Sequence, residues 1–250
     1  MAGVIVITGS SRGIGAATAC LAARQGYDVC VNYIRDAAAA EEVAGKVRAA
    51  GRRAIAVQAN VGNEEEIERL FKAVDRELGR LTVLVNNAAV VGQSRRRVET
   101  LRAQAVNALL AANVTGAIVC AREAILRMST KHGGAGGAIV NVSSASSRIG
   151  APNLWVDYAA SKGAIDSFTI GLAQEVAGEG IRVNAVRPGL IDTDIHAATG
   201  MPDRVARAEK MIPMKRAGAA EEVAESILWL ASPAASYVSG AILDVAGAVR

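Results

Sequence analysis

A chain of 250 residues, half of them apolar and only 3% aromatic, carries enough small and β-branched residues to bury a parallel sheet under helices without disulfides. Its net charge of +4 is scattered apart from Arg95, Arg96 and Arg97, and no aromatic-studded basic stripe accompanies that run, so a nucleic-acid partner is not expected. Cys20, Cys30 and Cys120 lack metal-type spacing, and His132 and His196 are isolated, which excludes a metal centre and points to reduced thiols.

The first residues lack a basic n-region, and no stretch is read as reaching the roughly 20 apolar residues of a membrane span. A soluble, cytoplasmic protein is the expectation.

Strands are read at 4–8, 28–33, 53–59, 81–86, 138–143 and 181–186, with a seventh at 241–245. Amphipathic helices lie between them. The clearest covers 63–78, where Asn63 caps, Glu64 to Glu66 favour the positive end, and Ile67, Leu70, Phe71, Val74 and Leu78 share one face. Alternation of this kind predicts right-handed crossovers and a doubly wound parallel sheet, with no linker or repeat dividing the chain.

The first strand runs into TGSSRGIG (8–15) and then an Ala-rich helix read over 13–25. Gly9, Gly13 and Gly15 allow backbone to approach a pyrophosphate, and the helix start supplies amide donors. A tight turn needing glycine for packing is the alternative. At the end of the second strand, where a carboxylate would select NAD, the residues are Asn32, Tyr33, Ile34 and Arg35, with no acid before Asp36. Arg12 in the loop could reach the same phosphate, so NADP(H) is favoured and NAD(H) stays open.

Tyr158 and Lys162 stand one turn apart on a helix read over 156–178, whose apolar face carries Ile165, Phe168, Leu172 and Val176. A phenol with a pKa near ~10 is a poor proton carrier at neutral pH, and an adjacent ammonium would lower it. Upstream, SSASS (143–147) closes the fifth strand, at the end where open α/β sheets bind ligands.

Taken in order, TGSSRGIG, NNAA (86–89), NVTG (113–116), the serine cluster, YAASK (158–162) and RPGLIDT (187–193) resemble the short-chain dehydrogenase/reductase family, over essentially the whole chain to SGAILDVAGA near its end. The resemblance is to its glucose dehydrogenase-like and 3-oxoacyl reductase-like members. It implies one α/β domain, residues 1–250, of Rossmann type, with about seven parallel strands and helices on both faces. It also implies hydride transfer between nicotinamide and the carbon of a small carbonyl or alcohol substrate.

By the same resemblance Tyr158 is the acid/base, Lys162 holds the nicotinamide ribose, Ser144 orients the substrate oxygen, and Asn113 holds a water linking Lys162 to solvent. Cofactor contacts fall to Gly9, Ser11, Arg12, Gly13, Ile14 and Gly15, to Asn32, Tyr33 and Arg35, and to Asn60 and Val61. Asn87, Ala88, Pro188, Gly189, Ile191 and Thr193 follow along the nicotinamide half. Asn107 does not fit the NVTG motif and is read as structural.

Three positions depart from the family pattern. Ala89 replaces a glycine and should narrow the site, and Asn60 stands where an aspartate faces adenine, offering a carbonyl instead. Ser144 lies fourteen residues before Tyr158 rather than thirteen, which leaves Ser143 and Ser146 as alternatives.

Substrate choice is assigned to the segment 190–214. The apolar stretch 220–247, with Trp229 and Tyr237 as anchors, suits the family's habit of forming tetramers, although Trp229 could equally be core. A cofactor-binding redox sensor with little turnover is the competing function.

Overall fold

The computed structural model describes residues 3–92, 96–193, 205 and 209–249. Strands β1 (Val4–Ile7), β2 (Asp28–Tyr33), β3 (Ala54–Gln58), β4 (Leu81–Asn86), β5 (Gly137–Val142), β6 (Ile181–Pro188) and β7 (Ile242–Val245) form one sheet in the order β3-β2-β1-β4-β5-β6-β7. Every neighbouring pair is parallel. The order reverses at β1, because β2 and β3 extend the sheet one way and β4 onward the other.

The β-branched runs produce this sheet because residues of period two can be buried on both faces at once. Ile5, Ile7, Val29, Val31, Val83, Val85 and Val140 point to one side. There they pack under α1 (Gly13–Arg24), α2 (Ala37–Ala49) and α8 (Ala220–Ala231). Val4, Val6, Cys30, Leu84, Ile139 and Val183 point to the other, beneath α3 (Glu64–Glu77), α5 (Gly116–Met128) and α7 (Val156–Val176). Three layers result.

Helix α3 forms for the reasons its sequence gives. Asn63 accepts the Glu66 amide at 3.2 Å, and Ile67, Leu70, Phe71 and Val74 are buried together. Each such side chain contributes roughly 1.5–3 kcal/mol by leaving water. Cys30 and Cys120 sit in the same interior, where burial pushes the Cys120 thiol up to about 12 and Cys30 higher still. They are packing residues.

One expectation fails. Helix α4 (Ala103–Leu110), a π segment (Ala111–Thr115) and α5 are helically continuous, and the resulting run Ala103–Met128 is long and apolar enough in composition to cross a membrane. Reading the strands and helices as separate short elements hid this length. Burial accounts for much of the apolarity, since Leu109, Cys120, Ala121, Ala124 and Met128 face inward, while Ile118 and Leu126 remain exposed.

Candidate active site

A cavity of about 340 Å³ opens at the carboxyl ends of β1 to β6, beside the reversal of strand order at β1 and β4. Its lining comes from the loops that leave the strands: Gly9 to Ile14 after β1, Ala59 to Val61 after β3, Asn87 to Val91 after β4, Ser143 to Ser146 after β5 and Gly189 to Thr193 after β6. Among its described lining the only charged side chains are Arg12 and Lys162.

The glycine loop is held open by backbone geometry. Gly9 has φ +62°, and a Cβ there would lie 2.9 Å from the Ala88 Cα. Gly15 lies outside the cavity lining, and its Cβ would meet the Gly9 carbonyl at 2.7 Å, so it serves close packing of α1 on the loop. Thr8 fastens the two loops: its Oγ1 accepts the amides of Asn87 and Ala88, both at 3.0 Å. The first turn of α1 has neither a side-chain cap nor an acidic residue. Its amides are therefore available to an anion, and the residues present fit a pyrophosphate.

The adenosine end differs from expectation in its details. Asn32 is buried, with its Oδ1 accepting the Gly9 amide at 3.0 Å and its Nδ2 donating to the Ala59 carbonyl at 3.0 Å. It braces the glycine loop against β2 and β3. Asn60 lies in the lining, and its Oδ1 accepts the Gly62 amide at 2.9 Å, so the turn uses one of its two lone pairs. Arg35 is exposed and outside the cavity lining, whereas Arg12, Tyr33 and Ile34 are in it. Asp36 is used as the cap of α2, accepting the Ala39 amide at 2.9 Å.

Helix α7 brings Tyr158 and Lys162 to the opposite wall. Lys162 is almost fully buried, its Nζ donates to the Val142 carbonyl at 2.7 Å, and it lies 5.7 Å from the centre of the Tyr158 ring. Burial lowers its pKa to about 8, against the opposing pull of Asp166. An ammonium has three N–H groups, so two remain after the Val142 bond.

Of the three candidate serines, Ser143 is buried with its hydroxyl donating to the Lys162 carbonyl at 3.2 Å. Ser144 is half-buried in the cavity wall, and its oxygen accepts the Ser146 amide at 3.1 Å, which leaves its O–H to donate. Geometry selects Ser144 over Ser143. The long interval to Tyr158 is filled by α6 (Ser146–Ile149) and a turn with Gly150, Ala151 and Asn153 at positive φ.

Asn113 does not reach the cavity. It is buried in the π segment, where its Oδ1 accepts the Val90 amide at 2.7 Å and its Nδ2 donates to the Val90 carbonyl at 2.8 Å and to Ser161 Oγ at 3.1 Å. Both of its N–H groups and one lone pair of its Oδ1 are thus engaged, and a π turn displaces nearby main-chain carbonyls from the regular helical ladder, where they can hold a water. Asn107 lies exposed on α4.

Sequence reasoning missed several lining residues: Ala59, Val90, Val91, Ala112, Val142 and Trp155. It also missed a largely buried ion pair beside Tyr158, in which Arg96 Nη2 lies 2.8 Å from Asp157 Oδ2. That pair ties the loop after β4 to the start of α7. It also uses the middle of the basic run, while Arg97 pairs with Glu99. Arg95 lies outside the described residues, as does most of the substrate segment, including Asp194, Ile195, Met201, Asp203, Arg204 and Arg207. Ala89 is exposed on the cavity wall.

Residues 9–249 match the family model described as enoyl-(acyl carrier protein) reductase. The chain is 52% identical over 244 residues to the uncharacterized oxidoreductase YgfF of Escherichia coli, covering 98% of each chain. It is 37% identical over 248 residues to a 3-oxoacyl-[acyl-carrier-protein] reductase of Synechocystis, covering 98% of this chain and 95% of that one. A short-chain dehydrogenase of Burkholderia cenocepacia solved in complex with NADP superposes with a TM-score of 0.86 at 33% identity, over 97% of this chain and 96% of that one. Fold, cavity and these likenesses agree: the chain belongs to the short-chain dehydrogenase/reductase family and is an NAD(P)-dependent oxidoreductase acting on CH–OH or C=O groups.

Proposed function

We propose that this protein is an NADP(H)-dependent carbonyl reductase or alcohol dehydrogenase in which Tyr158 carries the proton. The observation that supports this most is the convergence of Tyr158, Lys162 and Ser144 on one cavity at the reversal of the sheet. NADP(H) is preferred over NAD(H) because Arg12 is in the lining, no carboxylate of the described residues is, and Asp36 caps α2. The NADP complex of the Burkholderia relative supports the same choice.

When bound, the nicotinamide supplies or takes the hydride. The chain does the rest. The Ser144 hydroxyl donates to the substrate oxygen and holds it beside the Tyr158 phenol. In reduction Tyr158 gives its proton to that oxygen as the C–H bond forms, and in oxidation it takes the proton back. The Lys162 ammonium beside the ring stabilises the phenolate, and the main chain at Asn113 holds the water that returns the proton from solvent.

We also propose a homotetramer. Ile118 and Leu126 are exposed on α5 and Ile170 on α7, and Trp229, Tyr237 and Leu243 are exposed near the C-terminal end, so Trp229 is not a core residue. Light scattering that returned a monomer would contradict this.

The test of the reaction is loss of NADPH absorbance against diketones, aldehydes, ketoses and 3-oxoacyl thioesters, with sugars and NADP⁺ for the reverse direction. Turnover that disappears in Tyr158→Phe supports the mechanism. Turnover that survives in Tyr158→Phe refutes it.

A further inference from the structure

Behind Lys162 lies a line of alternating charge. Asp166 follows one turn later on the same buried face of α7. Its Oδ2 accepts from both Nε and Nη2 of Arg187 on β6, at 3.0 and 2.8 Å. Arg187 Nη1 lies 3.6 Å from Asp244 on β7, and Asp244 accepts from Arg148 on α6 at 2.7 Å. The line therefore joins the helix of Tyr158 and Lys162 to the short helix that follows Ser144.

The pairing of Asp166 is lopsided. Arg187 uses only one carboxylate oxygen, and Oδ1 is buried with no hydrogen-bond partner among the described residues. A carboxylate present only to satisfy Arg187 would accept its fork with both oxygens. This one leaves an uncompensated oxygen inside the protein, on the helix face that carries Lys162.

We propose that Asp166 is a positioning residue for Lys162: its buried carboxylate, clamped by Arg187 one turn along the same helix face, keeps in its charged form the ammonium that the Val142 carbonyl anchors. This rests on the reading of Lys162 as a member of the catalytic group. The surroundings leave few rivals for the role. On elements packed against α7, the charged groups are the cations Arg148 on α6 and Arg182 and Arg187 on β6, and Glu179 in the turn that follows α7, which is paired with Lys131 and Ser129, while α4 and the π segment carry none. Arg12, the other charged group of the cavity lining, is also a cation. On α7 itself Tyr158 faces Lys162, and Asp157 is paired with Arg96. Asp166 is the anion that opposes the effect of burial on Lys162, which otherwise drives the ammonium towards its neutral form.

The experiment is a pH titration of the Lys162 side chain by NMR in ¹³C-lysine-labelled full-length protein, its signal assigned by its loss in Lys162→Met. The wild type should titrate near the value of about 8 given by its surroundings. Asp166→Asn should move the midpoint down by about one pH unit or more, and Asp166→Glu should leave it nearly in place. Arg187→Met should move it the opposite way, because it frees the carboxylate for Lys162. That variant also keeps the test alive should Asp166→Asn fail to fold.

On a substrate from the panel, the alkaline limb of kcat/KM should follow the NMR midpoint. A purely structural role would lower the rate at every pH without moving the limb. Midpoints unmoved in folded Asp166→Asn or Arg187→Met overturn the proposal. If Lys162→Met kept full turnover, the catalytic reading itself would fall, so the two failures are distinguishable.

Discussion

Lys162→Met should make the cofactor-free protein more stable at neutral pH while removing its activity. Lowering a lysine pKa from the ordinary 10.5 to about 8 means that the buried ammonium costs about 3 kcal/mol relative to the unfolded chain. Methionine has a similar length and no charge to desolvate. Against that gain, the Val142 carbonyl loses its 2.7 Å donor, a loss of ~1–2 kcal/mol. The net expectation is about 1–2 kcal/mol of added stability, or a Tm raised by about 2–8 °C for a chain of this size.

The sign has a pH signature. The folded pKa lies below the unfolded one, so the wild-type penalty is complete below pH 8 and fades between 8 and 10.5 as the unfolded chain also loses its proton. The advantage of the variant should shrink over the same window. Urea unfolding of both proteins at fixed concentration across pH 6.5–10.5 measures it. A variant less stable than wild type at pH 7, with a difference indifferent to pH, would refute the reasoning.

Arg12→Ala should weaken NADPH by about 10–100-fold, the loss of a charged hydrogen bond, and leave NADH within a few-fold. Fluorescence titration of both cofactors reads the ratio. Gly9→Ala places a Cβ 2.9 Å from the Ala88 Cα at φ +62°, and should cost ~1–3 kcal/mol of stability along with much of the cofactor affinity. Thermal unfolding and NADPH titration report the two losses. Asp157→Ala strands the Arg96 guanidinium, and should destabilise the protein by about 3 kcal/mol in urea unfolding.

The seven strands were legible because each is a β-branched run bounded by turn residues, and their limits moved by only a residue or two. The glycine loop and the Tyr158–Lys162 pair were legible for a similar reason: their spacing is local. What stayed hidden depends on partners far along the chain. Arg96 meets Asp157 across 61 residues, and Asn32 meets the Gly9 amide across 23. No pattern near Asn32 says that its carbonyl is engaged, whereas Asn60 bonds Gly62 only two residues on, a local turn that the sequence Asn-Val-Gly could have shown. The length of the run Ala103–Met128 was missed because the stretch between the fourth and fifth strands was not read as one helix.

The π segment at Ala111–Thr115 does more than bend a helix. An α-helix advances 100° per residue, so the same residues wound there as a regular ladder would rotate everything beyond by about 100°. Cys120, Ala124 and Met128, all in the interior, would then turn towards α5's edge, unless Asn113 and its grip on Val90 were given up instead. The wide turn acts as a gear between two angular demands. It lets one continuous rod keep its apolar stripe on the sheet while an amide upstream stays aimed at the loop beside the cavity. A homologue one residue shorter there could run as a plain α-helix, without the wide turn that sets Asn113 against Val90.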